Sequence, residues 1–171
     1  MTKNSPQQQA TNPQDIVARL DALESRIAIE RLIASYAQAF DRRDAALLRS
    51  IWHDDARLSL GAAFGDFSGI EPIMESAKTN WASMPHMHHW MANAIIDLDG
   101  ERASATVAVD CLCTHVSMGQ VQISGLYHDQ FERRDGRWAF VEREFDMHFL
   151  TPLANWVPVA GIEVVDSLVA S

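Results

Sequence analysis

The sequence predicts an α+β domain in which N-terminal helices cover one face of a strongly curved antiparallel sheet, giving a cone with an open mouth. Three observations carry this expectation. Helical periodicity occupies the first half of the chain, period-two alternation occupies the second, and Gly-containing turns divide the alternating half into strands of similar length. A length of 171 residues, with 47% hydrophobic and 22% charged, suits one folded domain with its own core.

Residues 1–13 are polar and Gln-rich, with two prolines, and are expected to be a disordered arm. The domain is expected over residues 14–153. Ile16, Leu20, Leu23 and Ile27 recur at helical spacing and run on into Ile29, Leu32, Ile33, Tyr36, Ala37 and Phe40, predicting one long first helix or a helix with a bend. Asp44 is a good N-cap for a short second helix over 45–52. Residues 56–60 and 63–69 predict two short strands joined by a glycine-containing turn, and Ile70, Ile73, Met74 and Ala77 predict a third helix over 70–81. Four long strands follow, at 88–98, 102–117, 120–134 and 137–150. Asp99-Gly100, Met118-Gly119-Gln120 and Asp135-Gly136 supply the turns of a meander. The tail, 154–171, is too apolar to hang in water, and should pack on the cone mouth or on a neighbouring subunit.

Composition excludes several classes of function. A formal charge of -9 without clustered Lys or Arg argues against nucleic acid and anionic membranes and favours a small hydrophobic substrate. No apolar run is long enough to span a bilayer and the first residues lack a hydrophobic signal core, so a cytoplasmic location is expected. Cys111 and Cys113 share one face of a strand, too close in sequence for a ready mutual disulfide, and read as reduced packing residues. There is no nucleophile elbow and no glycine-rich phosphate or dinucleotide fingerprint. His86, His88 and His89 invite a metal reading, but neighbouring strand residues point to opposite faces and no second ligand cluster accompanies them; neither metal nor cofactor is expected.

The chemistry-bearing residues stand out by position. Asp41 lies four residues after Ala37 and so continues the apolar stripe of the first helix, where a carboxylate needs a partner. His89 opens the first long strand, sharing a face with Met91, Asn93 and Ile95, while Trp90 lies on the other; alternation alone leaves open which is inner. Arg143 falls in an apolar row with Ala139, Val141, Phe145, Met147 and Phe149. A guanidinium there implies an anionic partner or a role toward substrate, since it cannot shed its proton.

With these residues in view, AIERLIASYAQAFDRRDAALLRSIWHDDARL, the strand-opening histidine and YHDQFERRDGRWAFVEREFDMHFLTPL resemble the SnoaL-like branch of the nuclear transport factor 2 superfamily, over roughly residues 27–153. Within that branch the chain resembles hexachlorocyclohexane dehydrochlorinase and the bacterial bile-acid dehydratase, and more distantly scytalone dehydratase. The resemblance implies a cone-shaped α+β fold, an Asp41–His89 catalytic dyad, an active-site arginine at Arg143 and a homotrimer. Tyr36 marks a departure: the dehydrochlorinase has a lysine five residues before the aspartate, whereas the bile-acid dehydratase has a tyrosine.

The expected activity is therefore that of a cofactor-independent lyase, a dehydratase of alicyclic or aromatic compounds. His89 would abstract a proton, Asp41 would orient it, Tyr36 would donate to a carbonyl or leaving hydroxyl, and Arg143 would stabilise developing charge. Trp52, Phe64, Trp81, Trp90, Leu112, Tyr127 and Phe145 are the candidate pocket wall. Carbon-carbon cleavage releasing a small aldehyde and isomerisation are the neighbouring alternatives; a non-catalytic small-molecule-binding cone is the alternative from another class.

Overall fold

A computed structural model describes residues 12–153. All of the expected arm but Asn12 and Pro13, together with the expected tail over 154–171, lies outside the described residues.

Helix α1, Pro13–Arg42, runs unbroken for 30 residues. Its start is well specified, because the Asn12 side chain accepts a hydrogen bond from the Gln14 N–H at 3.1 Å, Pro13 needs no N–H partner in the first turn, and Asp15 complements the dipole. Only its second half enters the core. Ile29, Ile33, Tyr36 and Phe40 are buried, whereas Ile16, Leu20, Leu23 and Ile27 keep the helical spacing but stay exposed. The helix stops at Arg43, which takes a left-handed conformation, φ 56°. Asp44 then caps helix α2, Ala45–Ser50, accepting from the Leu47 N–H at 2.9 Å.

Strand β1, Trp52–Ser59, is followed by the single-turn α3, Gly61–Phe64, and the short β2, Asp66–Ser68. Of the extended segment expected over 63–69, Asp66–Ser68 is strand, but the residues before Gly65 are not. Instead Gly61 and Gly65 adopt positive φ, 70° and 91°, and the chain folds into a turn of helix that brings Phe64 inward. Helix α4, Ile70–Ser83, buries Ile70, Ile73, Met74 and Ala77 as its spacing predicted.

Strands β3 (His86–Asp99), β4 (Arg102–His115), β5 (Gly119–Arg134) and β6 (Arg137–Pro152) form the expected meander. Among the described residues the sheet has six strands in the order β2-β1-β6-β5-β4-β3, and β1 joins it parallel to β6. That mixed edge brings the end of β1 and the α3 turn beside the mouth of the cone.

Bulges decide which side chains reach the concave face, and they correct two of the expected rows. On β3 the register shifts between Ala92 and Ile95, with Asn93 at φ 53°; Met87, His89 and Met91 face inward before the shift, and Ile96 rather than Ile95 is buried after it. On β6 the residue opposite Phe131 is Phe140 but the one opposite Gln130 is Glu142, so Val141 is the extra residue. Arg143 therefore lines up with Phe140 and Phe145, not with Ala139 and Val141. Gly125 permits the last bend: a Cβ there would stand 2.1 Å from the Asp146 carbonyl oxygen and 2.8 Å from Phe145 Cε2.

Candidate active site

The last turn of α1 delivers Asp41 to the first residues of β3. Asp41 Oδ1 accepts from His89 Nδ1 at 2.6 Å, and Oδ2 accepts from the His89 backbone N–H at 3.0 Å. Both side chains are largely buried. One carboxylate thus fixes the ring and the strand that carries it. Because Nδ1 holds the proton donated to Asp41, the tautomer leaves the Nε2 lone pair free. Arg43 assists by donating to the carbonyls of Trp81 (3.1 Å) and Pro85 (2.7 Å), which pins the α4–β3 connection against the end of α1. His88 points to the opposite side of β3, exposed, with its Nδ1 3.9 Å from Asp41 Oδ2.

His89 opens onto a cavity of about 510 Å³, its mouth included. Tyr36 and Phe40 of α1 form one wall, Leu60 and Phe64 another, and Asn80 of α4 with Met84 just after it a third. The sheet contributes Met87, Val109, Cys111, Ile123, Tyr127 and Phe145. Its lining is mainly apolar with a few polar groups, the composition usual for a small-molecule site.

Of the predicted wall, Phe64, Tyr127 and Phe145 line this cavity and four residues do not. Trp90 and Leu112 stand on the outer face of the sheet, since alternation sends them opposite to His89 and Cys111. Trp52 is buried behind the wall, its ring 4.9 Å from that of Phe140. Trp81 packs beneath Phe40, to whose carbonyl its indole N–H donates at 3.0 Å. Val109, Cys111 and Ile123 were missed, although strand register carries the signal: His89 pairs with Cys111, and Cys111 with Ile123.

Arg143 also differs from expectation. It does not line the cavity but lies fully buried behind Tyr36 and Tyr127, its guanidinium carbon 4.1 Å from each ring centroid. Asp129, which sequence reading overlooked, holds it there with two hydrogen bonds of 2.7 Å, Nε to Oδ1 and Nη2 to Oδ2. The missed signal was a carboxylate in the inward row of β5, between Tyr127 and Phe131. Burial works against the Arg143 cation, yet the charge and hydrogen bonds of Asp129 keep its pKa above the ordinary arginine value.

Burial pushes the Tyr36 phenol up, with the Arg143 charge pulling the other way, and burial holds the Tyr127 phenol well above its ordinary value. Both are therefore neutral O–H donors at physiological pH. The neighbouring Cys113 thiol and burial raise the pKa of Cys111, whose Sγ donates to the Leu112 carbonyl at 3.8 Å, and leave it a packing thiol; both cysteines are free. Among the described residues no three His, Cys, Asp or Glu side chains come together as a metal-binding set, and no helix is long and apolar enough to cross a membrane.

The SnoaL-like domain family matches residues 21–144 of this chain. The γ-hexachlorocyclohexane dehydrochlorinase of Sphingobium indicum is 31% identical over 139 residues, covering 80% of this chain and 88% of that enzyme. Among solved structures, a type 2 hexachlorocyclohexane dehydrochlorinase superposes with a TM-score of 0.79 at 29% identity, covering 83% of this chain and 99% of that one. The type 3 enzyme of Novosphingobium barchaimii gives a TM-score of 0.77 at 30% identity over 82% and 99% of the two chains.

Proposed function

This chain belongs to the SnoaL-like domain family, within the nuclear transport factor 2-like superfamily, and from that premise we propose that it is a cofactor-independent lyase that eliminates water from a small hydrophobic ring compound. The observation that carries the reading is the His89–Asp41 pair, 2.6 Å apart at the wall of an apolar cavity that also presents two neutral phenols.

In this reading His89 Nε2 takes a proton from a carbon next to a carbonyl or on an activated ring, while Asp41 stabilises the imidazolium through Nδ1. The electron pair left on carbon forms the new double bond. The departing hydroxyl takes the Tyr36 phenolic proton and leaves as water, and the phenolate formed is stabilised by Arg143 behind the ring. Return of the proton from His89 to Tyr36 resets the site. Arg143 is thus a positioning and electrostatic residue that acts through Tyr36 and Tyr127.

The leaving group separates this reading from the activity named for the relatives. Hydroxide is a poor leaving group and needs an acid, whereas chloride departs without a proton. A buried phenol held neutral supplies that acid, which favours dehydration; the sequence relatives favour dehydrochlorination as the second reading. Incubation with hydroxylated alicyclic and aromatic ketones, and separately with γ-hexachlorocyclohexane, followed by mass spectrometry and chloride assay, decides between them. Loss of water supports the proposal and chloride release alone supports the alternative. Loss of formaldehyde would indicate carbon-carbon cleavage, an unchanged mass with a shifted double bond an isomerase, and binding without conversion a silent cone.

We further propose a homotrimer. The outer sheet face exposes Trp90, Ile95 and Phe149, and the pairing across β3, β4, β5 and β6 sets Trp90, Asp110, Ser124 and Phe149 in one lateral row, apolar at both ends. Such a face is suited to another subunit.

A further inference from the structure

Helix α4 carries a polar residue where its buried stripe calls for an apolar one. Ile70, Ile73 and Ala77 mark that stripe at helical spacing, and Asn80, three residues after Ala77, is the next position on it before the helix ends at Ser83. Asparagine is a poor helix former, so position 80 gains nothing from it locally. Its backbone carbonyl serves the helix end, accepting from Met84 N–H at 2.8 Å and Ser83 Oγ at 3.2 Å. Its side-chain amide, by contrast, bonds to no other group among the described residues. The amide is not one of the buried polar atoms sealed away without a partner, so it stays open to whatever enters beside it.

Asn80 also stands at a junction. It lines the cavity that holds His89 and Tyr36, and with Phe64 it lines an outer groove between α3 and α4 whose other walls include Phe67, Pro72 and Thr79. His89 borders only the first of these. A ligand group that meets Asn80 is therefore on the groove side of the cavity, away from the proton that His89 removes. The amide offers one acceptor and two donors, a match for a hydroxyl or carbonyl and not for a halogen or a hydrocarbon edge.

We infer that Asn80 is a specificity-determining residue that hydrogen-bonds an oxygen substituent on the unreactive part of the substrate, so that the substrate is a ring compound bearing an oxygen remote from the reacting carbons, besides the leaving hydroxyl and any activating carbonyl. This rests on the elimination reading for the identity of the site, but it is tested by binding alone.

The test is isothermal titration of the protein with 1-tetralone and with 6-hydroxy-1-tetralone, two flat ketones that differ by one remote hydroxyl and carry no leaving group. One hydrogen bond corresponds to roughly a 5- to 10-fold preference for the hydroxylated probe. In Asn80→Leu, nearly equal in volume, the preference should fall to about one, with 1-tetralone bound as well as before or better. Because the amide supports no other described group, this variant should keep the parental melting temperature. An equal preference in parent and variant would overturn the inference, as would a parent that does not prefer the hydroxylated probe or binds neither. Failure of the elimination reading shows itself differently, as probes that bind with the stated preference to a protein that converts no hydroxylated compound.

Discussion

Asp129 and Arg143 face each other across β5 and β6 as a fully buried ion pair with two hydrogen bonds of 2.7 Å. The pair explains how a permanent positive charge can sit inside an otherwise apolar cone. Asp129 takes two of the guanidinium's donors, and the faces of Tyr36 and Tyr127, each 4.1 Å away, surround the charge with ring electrons. Nη1 has no hydrogen-bond partner among the described residues. The charge is thus fixed behind the phenols, where it strengthens them as donors without meeting the ligand.

Removing only the carboxylate leaves the cation uncompensated. Asp129→Asn is expected to destabilise the fold by about 3–5 kcal/mol, because an unpaired buried charge costs far more than a neutral pair of similar size. The double variant Asp129→Leu, Arg143→Met should recover most of that stability in urea titrations and none of the turnover. A single variant as stable as the parent would refute the assignment of the pair.

The dyad makes a separate demand on turnover. His89→Ala and Asp41→Asn should each lower kcat by about 10²–10⁴-fold, the usual worth of a positioned base, while circular dichroism stays unchanged. Asp41→Asn also tests the anchoring of β3, since an amide can still accept from the His89 backbone N–H but no longer stabilises the imidazolium. If either variant turned over a responsive substrate at the parental rate, the assigned base would be wrong.

Raised phenol pKa values give a signed pH dependence. The folded chain keeps the Tyr36 and Tyr127 protons at pH values where the unfolded chain, with phenols near pH 10, releases them. The unfolded state then binds fewer protons, so stability is fully present below about pH 10 and falls as pH rises toward the folded pKa values. Melting temperature measured between pH 8 and pH 11 should drop at the alkaline end, and the double replacement Tyr36→Phe, Tyr127→Phe should flatten that drop. An unchanged alkaline slope in the double variant would assign the effect to other groups.

Much of this architecture was legible in the sequence because local signals agree with the tertiary result. The helical spacing of Ile29, Ile33, Tyr36 and Phe40, the Asp99-Gly100 and Asp135-Gly136 turns, and the inward direction of Asp41 each depend on near neighbours in the chain. What escaped depended on distant partners. The parallel placing of β1 against β6 has no local signature, and neither do the bulge at Asn93 and the two in β6, at Val141 and His148, which shift the faces of the residues between them and put Arg143, Phe145 and Met147 opposite to Ala139 and Phe149. The displacement of Arg143 from the cavity follows from Asp129 on another strand. Trp90 and Leu112 were assigned to the wall because size and apolarity do not say which face of a strand is concave.

The exposed outer row predicts assembly. At micromolar concentration, light scattering should report a mass near three times that of the 19.1 kDa chain. Trp90→Glu should shift the mass toward the monomer, since a charge on an apolar contact loses its hydration when the contact closes. A monomeric parent would remove the argument from Trp90, Ile95 and Phe149.

The leaving-group argument makes the sharpest demand on Tyr36. If its phenol protonates the departing hydroxyl, Tyr36→Phe should reduce kcat on a hydroxylated ketone by about 10²-fold, as expected for loss of a general acid, and change KM little because the ring still fills its place beside Phe40 and Tyr127. On an analogue in which chloride replaces that hydroxyl, the same variant should lose much less, since chloride needs no proton to depart. The ratio of the two losses is the informative quantity. Damage to packing would slow both substrates alike, whereas loss of an acid separates them, and equal losses on both would return Tyr36 to the role of a wall residue.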